Sequence, residues 1–198
     1  MPRPKPKRRL PPEVLSSDEV AMLRAVCDGD AFANVRTRAL IAVLYRTGLR
    51  LSEALALLPK DIDPQRSCIR VLRGKGGRSR TVGIDARALA MLEPWLARRA
   101  LLRTLKPPSP VFCTAWGTPL TTAYIRRLLP RLAAKAGIAK RVHAHGFRHT
   151  HAAELRAEGV DIGIISKQLG HEDISTTARY LDHIAPWAVV EAVSVRQW

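Results

Sequence analysis

Apolar positions recur every three or four residues through most of this chain and alternate every second residue only in one short stretch. The first periodic run opens at Ser16, which forms a capping box with Glu19 and puts acids in the first turn, so a helix is predicted over Ser17–Cys27. A second helix, Ala33–Thr47, turns Leu40, Val43 and Leu44 inward and stops at Gly48. A short one over Leu51–Leu58 is ended by Pro59. The period then changes. Ser67–Arg73 and Arg80–Ile84 are extended and rich in β-branched residues, and Gly74-Lys75-Gly76-Gly77 lies between them. That pattern predicts a β-hairpin, with an added strand near Asp61–Asp63.

After Asp85 the helical period returns over Ala86–Leu105 and Thr122–Ala136, separated by the Pro-rich loop Lys106–Pro110. Each of these helices contains a proline, Pro94 or Pro130, where a kink or break is expected. Gly146–Glu158, Ile162–Leu169 and Ile174–His183 follow as helices, with a last one within Trp187–Arg196. There is no internal repeat. The fold class is mainly α with a small antiparallel sheet inserted early (α+β).

Length and charge narrow the picture. At 198 residues the chain is one ordinary domain with room for a buried core. Its net charge of +16 is carried by 33 basic residues, 25 of them arginine, whose planar fork suits phosphate better than lysine's point charge. Nucleic acid is the leading partner on that basis, ahead of a ribosomal-type or membrane-surface protein. Residues 1–12 mix proline with positive charge and cannot pack a core. They read as an extended arm, either a solvated tail or a strand lying along phosphates. Cys27, Cys68 and Cys113 are odd in number and widely spaced, which points to a reducing compartment. No apolar run is long enough to span a bilayer, and the basic N-terminus lacks the apolar stretch of a secretory signal. A soluble, cytoplasmic protein is expected.

The candidate chemistry is scattered along the chain. Arg50 follows Gly48 and begins a helix, a position where the backbone favours anions, and Glu53 is a natural partner to hold it. Lys75 sits at the hairpin tip; the surrounding glycines lack the spacing of a nucleotide-binding loop. His143, His145, His149 and His151 crowd nine residues, but no Glu stands between them as in a zinc hydrolase, and Arg148 would set a positive charge beside an ion. A metal is therefore not expected, and His145 with Arg148 on one face of a helix N-terminus suits phosphate instead. Residues 161–181 look like a helix-turn-helix, except that the second helix would turn polar Thr176 and Arg179 inward. His171 follows Leu169-Gly170, and Tyr180 stands nine residues beyond it.

In this order the motifs resemble the tyrosine recombinases, the phage-integrase family, over most of residues 12–185. Thr47-Gly48-Leu49-Arg50-Leu51-Ser52-Glu53 is similar to the family's first block, the hairpin to its lysine hairpin, His145-Gly146-Phe147-Arg148-His149-Thr150 to its second block, and Leu169-Gly170-His171 to its third. The resemblance implies the family's catalytic-domain fold and a catalytic set of Arg50, Lys75, His145, Arg148, His171 and the nucleophile Tyr180, with no cofactor. Arg73, Arg78 and Arg80 of the hairpin, and Lys5, Lys7, Arg8 and Arg9 of the arm, are the expected DNA contacts. It further implies site-specific recombination of double-stranded DNA through a 3′-phosphotyrosyl link, by a tetramer on DNA, with a possible accessory DNA-bending protein. The family's separate N-terminal DNA clamp is not expected here, because the catalytic domain starts almost at once, as in the short recombinases that invert fimbrial promoter switches. Two alternatives stay open: a DNA-binding regulator that uses the fold without catalysis, and a type IB topoisomerase, which shares the chemistry.

Overall fold

Helix α2, Phe32–Thr47, is the centre of the packing. Its residues Ala39 through Leu44 are all buried, because neighbouring helices cover more than one of its faces. In this computed structural model the described residues are 13–72, 79–184 and 193–194, with the backbone alone for 179, 180 and 182–184. Before α2 comes α1, Ser17–Ala25, started by the capping box: Ser16 Oγ accepts from Glu19 N at 3.1 Å and Glu19 returns a carboxylate oxygen to Ser16 N at 2.7 Å. After it, Gly48 takes the left-handed conformation that ends the helix, with φ +63°.

Helix α3 covers only Leu51–Ala56, two residues short of the predicted end. Pro59 disfavours helical geometry at Leu58, whose N–H goes instead to the buried Asp61 carboxylate at 2.9 Å. A single 3₁₀ turn, Pro59–Asp61, leads into the sheet. Strands β1 (Ile62–Asp63), β2 (Cys68–Val71) and β3 (Arg80–Gly83) are antiparallel neighbours in chain order, so the small third strand is present where expected. The register sets Ile69 opposite both Ile62 and Val82, and these three with Val71 bury one face of the sheet.

Helices α4 (Ala86–Ala100) and α5 (Thr122–Lys135) run unbroken through Pro94 and Pro130. Both prolines are exposed, so water can satisfy the carbonyls they leave without a donor. α4 stops five residues before the predicted Leu105 because the following loop folds back on it. Trp95 Nε1 donates to Val111 O at 2.9 Å, and Arg99 donates to Pro110 O and Ser109 O at 2.8 and 2.6 Å. Trp95, Phe112, Phe147, Leu40, Leu44 and Leu92 are in the main core. Helices α6 (Ala144–Ala157), α7 (Ile162–Leu169) and α8 (Ile174–Ile184) close a second, smaller cluster of Ala152, Ile165, Leu169 and Leu181. On α8 the inward positions are Thr177 and Leu181, while Thr176, which a helix-turn-helix would turn inward, is exposed. The side chain of Arg179, and all of Trp187–Arg196 apart from residues 193 and 194, lie outside the described residues. Among the described residues no helix is long and apolar enough to cross a membrane.

Gly48 joins the two clusters. A Cβ at this position would come within 2.8 Å of His151 Cδ2 and 2.9 Å of Leu169 Cδ2. Gly48→Ala should lower stability by about 2–4 kcal/mol, combining left-handed strain with overpacking, and urea unfolding followed by circular dichroism checks this.

Candidate active site

The site is built on the C-terminal end of α7. Gly170, φ +67°, closes the helix by donating to Lys167 O at 3.1 Å, and His171 N donates to Ser166 O at 3.1 Å. The last helical carbonyls then lack intrahelical donors. Three arginines supply them. Arg148 Nη2 donates to Leu169 O at 2.6 Å, Arg50 Nη2 to Gly170 O at 3.3 Å, and Arg80 Nε reaches Gln168 O at a long 3.5 Å. Arg148 also donates from Nη1 to Gly48 O at 2.7 Å, so one buried guanidinium bridges the ends of α2 and α7. The negative ends of both helix dipoles favour it there.

Arg50 is the N-cap of α3, as its place after Gly48 predicted. Glu53, nearly inaccessible, accepts from Arg50 N and Arg50 Nη1, each at 2.9 Å. It also accepts both Nη groups of Arg80 at 2.8 Å in a bidentate pair. Burial acts to raise the Glu53 pKa, but the Arg80 and Arg50 hydrogen bonds and charges outweigh it and hold the carboxyl at about 2. Arg80, expected among the DNA contacts, thus has its guanidinium on Glu53; a buried carboxylate requires such partners.

Two imidazoles complete the described part. Helix α6 begins two residues earlier than predicted because His143 caps it, Nδ1 accepting from Gly146 N at 3.0 Å. His145 therefore lies in the first turn, its ring edge-to-face with buried His149 at 4.4 Å between centroids. The His145 side chain is open to solvent, yet surrounding protein removes part of its hydration, and Arg148, His143 and Arg50 add positive charge, so its pKa is lowered. His171 shares a 2.7 Å hydrogen bond between Nδ1 and the buried Thr177 Oγ1. Burial, then Arg148, Arg50, His145 and Arg80, lowers its pKa to about 4. Both rings are therefore neutral at pH 7 in the free protein, surrounded by guanidiniums, an arrangement that accepts an anion.

The structure brings together Arg50, His145, Arg148 and His171. Tyr180 lies on α8, the helix that starts directly after the His171 turn, and its side chain lies outside the described residues. Lys75, Arg73 and Arg78, and the arm residues Lys5, Lys7, Arg8 and Arg9, also lie outside them. Sequence reasoning missed Gln168. Its side chain accepts from Gly83 N at 2.9 Å and donates to Gly83 O at 3.0 Å and Thr47 O at 3.2 Å, acting as a strand partner for the outer edge of β3. His151, 3.5 Å from Gln168 Nε2, was considered only as a metal ligand; among the described residues no group of His, Cys, Asp or Glu is arranged to hold a metal ion. No spacing signal could have found the role of Gln168, because its partners lie on β3 and at the end of α2.

Comparison with known proteins agrees with this geometry. The phage integrase family matches residues 13–185. Tyrosine recombinase XerC of Listeria welshimeri is 33% identical over 174 residues, covering 87% of this chain and 58% of that protein, so the chain spans little more than half the length of this relative. The crystal structure of XerA recombinase superimposes with a TM-score of 0.82 at 31% identity, over 96% of this chain and 68% of that one. XerH site-specific recombinase, in a post-cleavage complex with a palindromic difH substrate, gives 0.78 at 29% identity, over 96% and 54%.

The titrating groups predict acid lability with a definite sign. His151 and His171 titrate near 4 when folded against an ordinary 6.5, so the unfolded chain binds more protons between those values. Their contribution is complete above 6.5 and is lost as pH falls toward 4; Glu53, about 2 against 4.5, extends the loss from 4.5 downward. Urea midpoints should fall between about pH 7.5 and about pH 5, and His151→Gln should flatten that slope by up to about one proton. An unchanged slope in the variant would exclude a buried neutral His151.

Proposed function

The chain belongs to the phage integrase family, and on that premise we propose that it is a site-specific DNA recombinase that cuts and rejoins double-stranded DNA through a covalent tyrosyl intermediate. The observation that carries this is the convergence of Arg50, Arg148, His145 and His171 around the end of α7, one turn of chain before the helix that bears Tyr180.

The chemistry follows from the groups. A backbone phosphate entering the site accepts hydrogen bonds from Arg50 and Arg148, which need no metal to neutralise its oxygens. Its negative charge offsets the guanidiniums and raises the pKa of His145 and His171 from their lowered values, so each can hold a proton during the reaction. Tyr180 Oη attacks phosphorus and gives its proton to His145. The bond to the 5′-oxygen breaks, and Lys75 protonates that oxygen while His171 donates to a non-bridging oxygen. A 3′-phosphotyrosyl ester and a 5′-hydroxyl result. Attack by a 5′-hydroxyl from a second duplex reverses the step, so bond energy is conserved and no nucleotide cofactor enters. One tyrosine for each strand of two duplexes calls for a tetramer on DNA, acting in the cytoplasm. Arg73 and Arg78, with Lys5, Lys7, Arg8 and Arg9, add phosphate contacts whose affinity is salt-dependent.

The test is covalent trapping on supercoiled DNA that carries the gene's own flanking region, read as adducts that survive SDS. Wild type should form them and Tyr180→Phe should not. Adducts that persist in the variant would remove Tyr180 as nucleophile, and tight DNA binding with no adduct from either would favour the regulator reading. Exchange between two labelled DNAs, against relaxation of one plasmid, separates recombinase from topoisomerase. Arg148→Lys, which loses the fork between Gly48 O and Leu169 O, should cut the trapping rate about a hundredfold or more.

A further inference from the structure

Three guanidiniums and one carboxylate share the end of α7. Glu53 gives both oxygens to Arg80 and one of them also to the Arg50 guanidinium. Arg80 fits because Gly170 has no side chain: a Cβ there would meet Arg80 Nε, Cδ and Cζ at 2.7–2.8 Å. All three nitrogens of Arg80 are committed to protein oxygens, on Glu53 and Gln168, and its side chain is 14% exposed. Its charge is therefore close to the site while its hydrogen bonds run to the protein. Without it, Glu53 would have Arg50 as its counter-charge and would neutralise it. With it, two guanidiniums share one carboxylate, and the pair keeps a positive charge that Glu53 does not cancel.

We propose that Arg80 is a positioning residue that shares the Glu53 carboxylate with Arg50, so that Arg50 keeps its charge for the phosphate. This rests on the recombinase reading, and it deepens it. A phosphodiester has one negative charge, and bond formation to an ionised tyrosine brings the phosphorane to two. The charge that Arg50 keeps meets that second negative charge, so its effect is larger on the transition state than on bound DNA.

The experiment is a charge rescue. Arg80→Met lowers the net charge by one, and adding Glu53→Gln restores it while keeping an oxygen to accept from Arg50. Arg80→Met should reduce adduct formation at saturating DNA about a hundredfold with half-saturation unchanged, and the double variant should regain about tenfold or more. The rise in melting temperature caused by inorganic phosphate should follow the same order. Arg80→Lys, the better tolerated change, keeps the charge and should stay within about tenfold of wild type. A double variant no faster than Arg80→Met, with both melting cooperatively, overturns the proposal, and so does a loss in Arg80→Lys equal to that in Arg80→Met. If wild type forms no adduct, the recombinase reading fails by itself. The phosphate shift then decides charge sharing, and equal shifts in wild type and Arg80→Met overturn it.

Discussion

The carbonyls at the C-terminal end of α7 have no donors within their own helix, and the site exists because three arginines from elsewhere in the chain provide them. Arg50 comes from the start of α3, Arg80 from β3 and Arg148 from α6, so this one helix end draws three separate elements to a point. Its own sequence allows this. Gly170 closes the helix in a left-handed conformation and leaves space for the Arg80 guanidinium against its Cα. The same closure fixes His171 N on Ser166 O, so the imidazole is placed by the motif that places the carbonyls.

Clustered cations repel each other, and the structure limits that cost in two ways. Peptide carbonyls at helix ends contribute fixed negative poles, of which Arg148 uses two. Glu53 contributes a formal negative charge, and its carboxyl stays ionised far below the ordinary range because two guanidiniums hold it. The histidines meet the same field with the opposite consequence: they lose their protons. Charged arginines beside neutral imidazoles are the result, a field that favours an anion.

Gln168 extends this arrangement to the sheet. By pairing with both backbone groups of Gly83 it fastens β3 to α7, and its third bond, to Thr47 O, fastens both to the end of α2. β3 is the strand on which the hairpin containing Lys75 ends. The root of the hairpin is thus tied to the same helix end as the arginines, although nothing in the local sequence of either segment indicates it.

Much of this protein was legible in its residues. The capping box at Ser16, the stop at Gly48, the alternation around Ile69 and Val82, and the closure at Gly170 are local devices, set by backbone conformation and the periodicity of apolar residues. Resemblance to a known family picked out Arg50, His145, Arg148 and His171, which the fold brings together, and the three-residue spacing from Arg50 picked out Glu53 as its partner. What the sequence left open was decided by contacts between residues far apart. Which face of α8 turns inward depended on Thr177 meeting His171 and on Leu181 reaching the α6–α7 cluster, contacts that the helix's own pattern does not show. The end of α4 was decided by Trp95 and Arg99 holding a loop more than ten residues away. Arg80 stood in the sequence among the hairpin cations, and only the fold sets its guanidinium beside a buried carboxylate from 27 residues earlier. Local geometry is encoded residue by residue, whereas the burial that fixes a charge's partner arises only when the whole chain has closed around it.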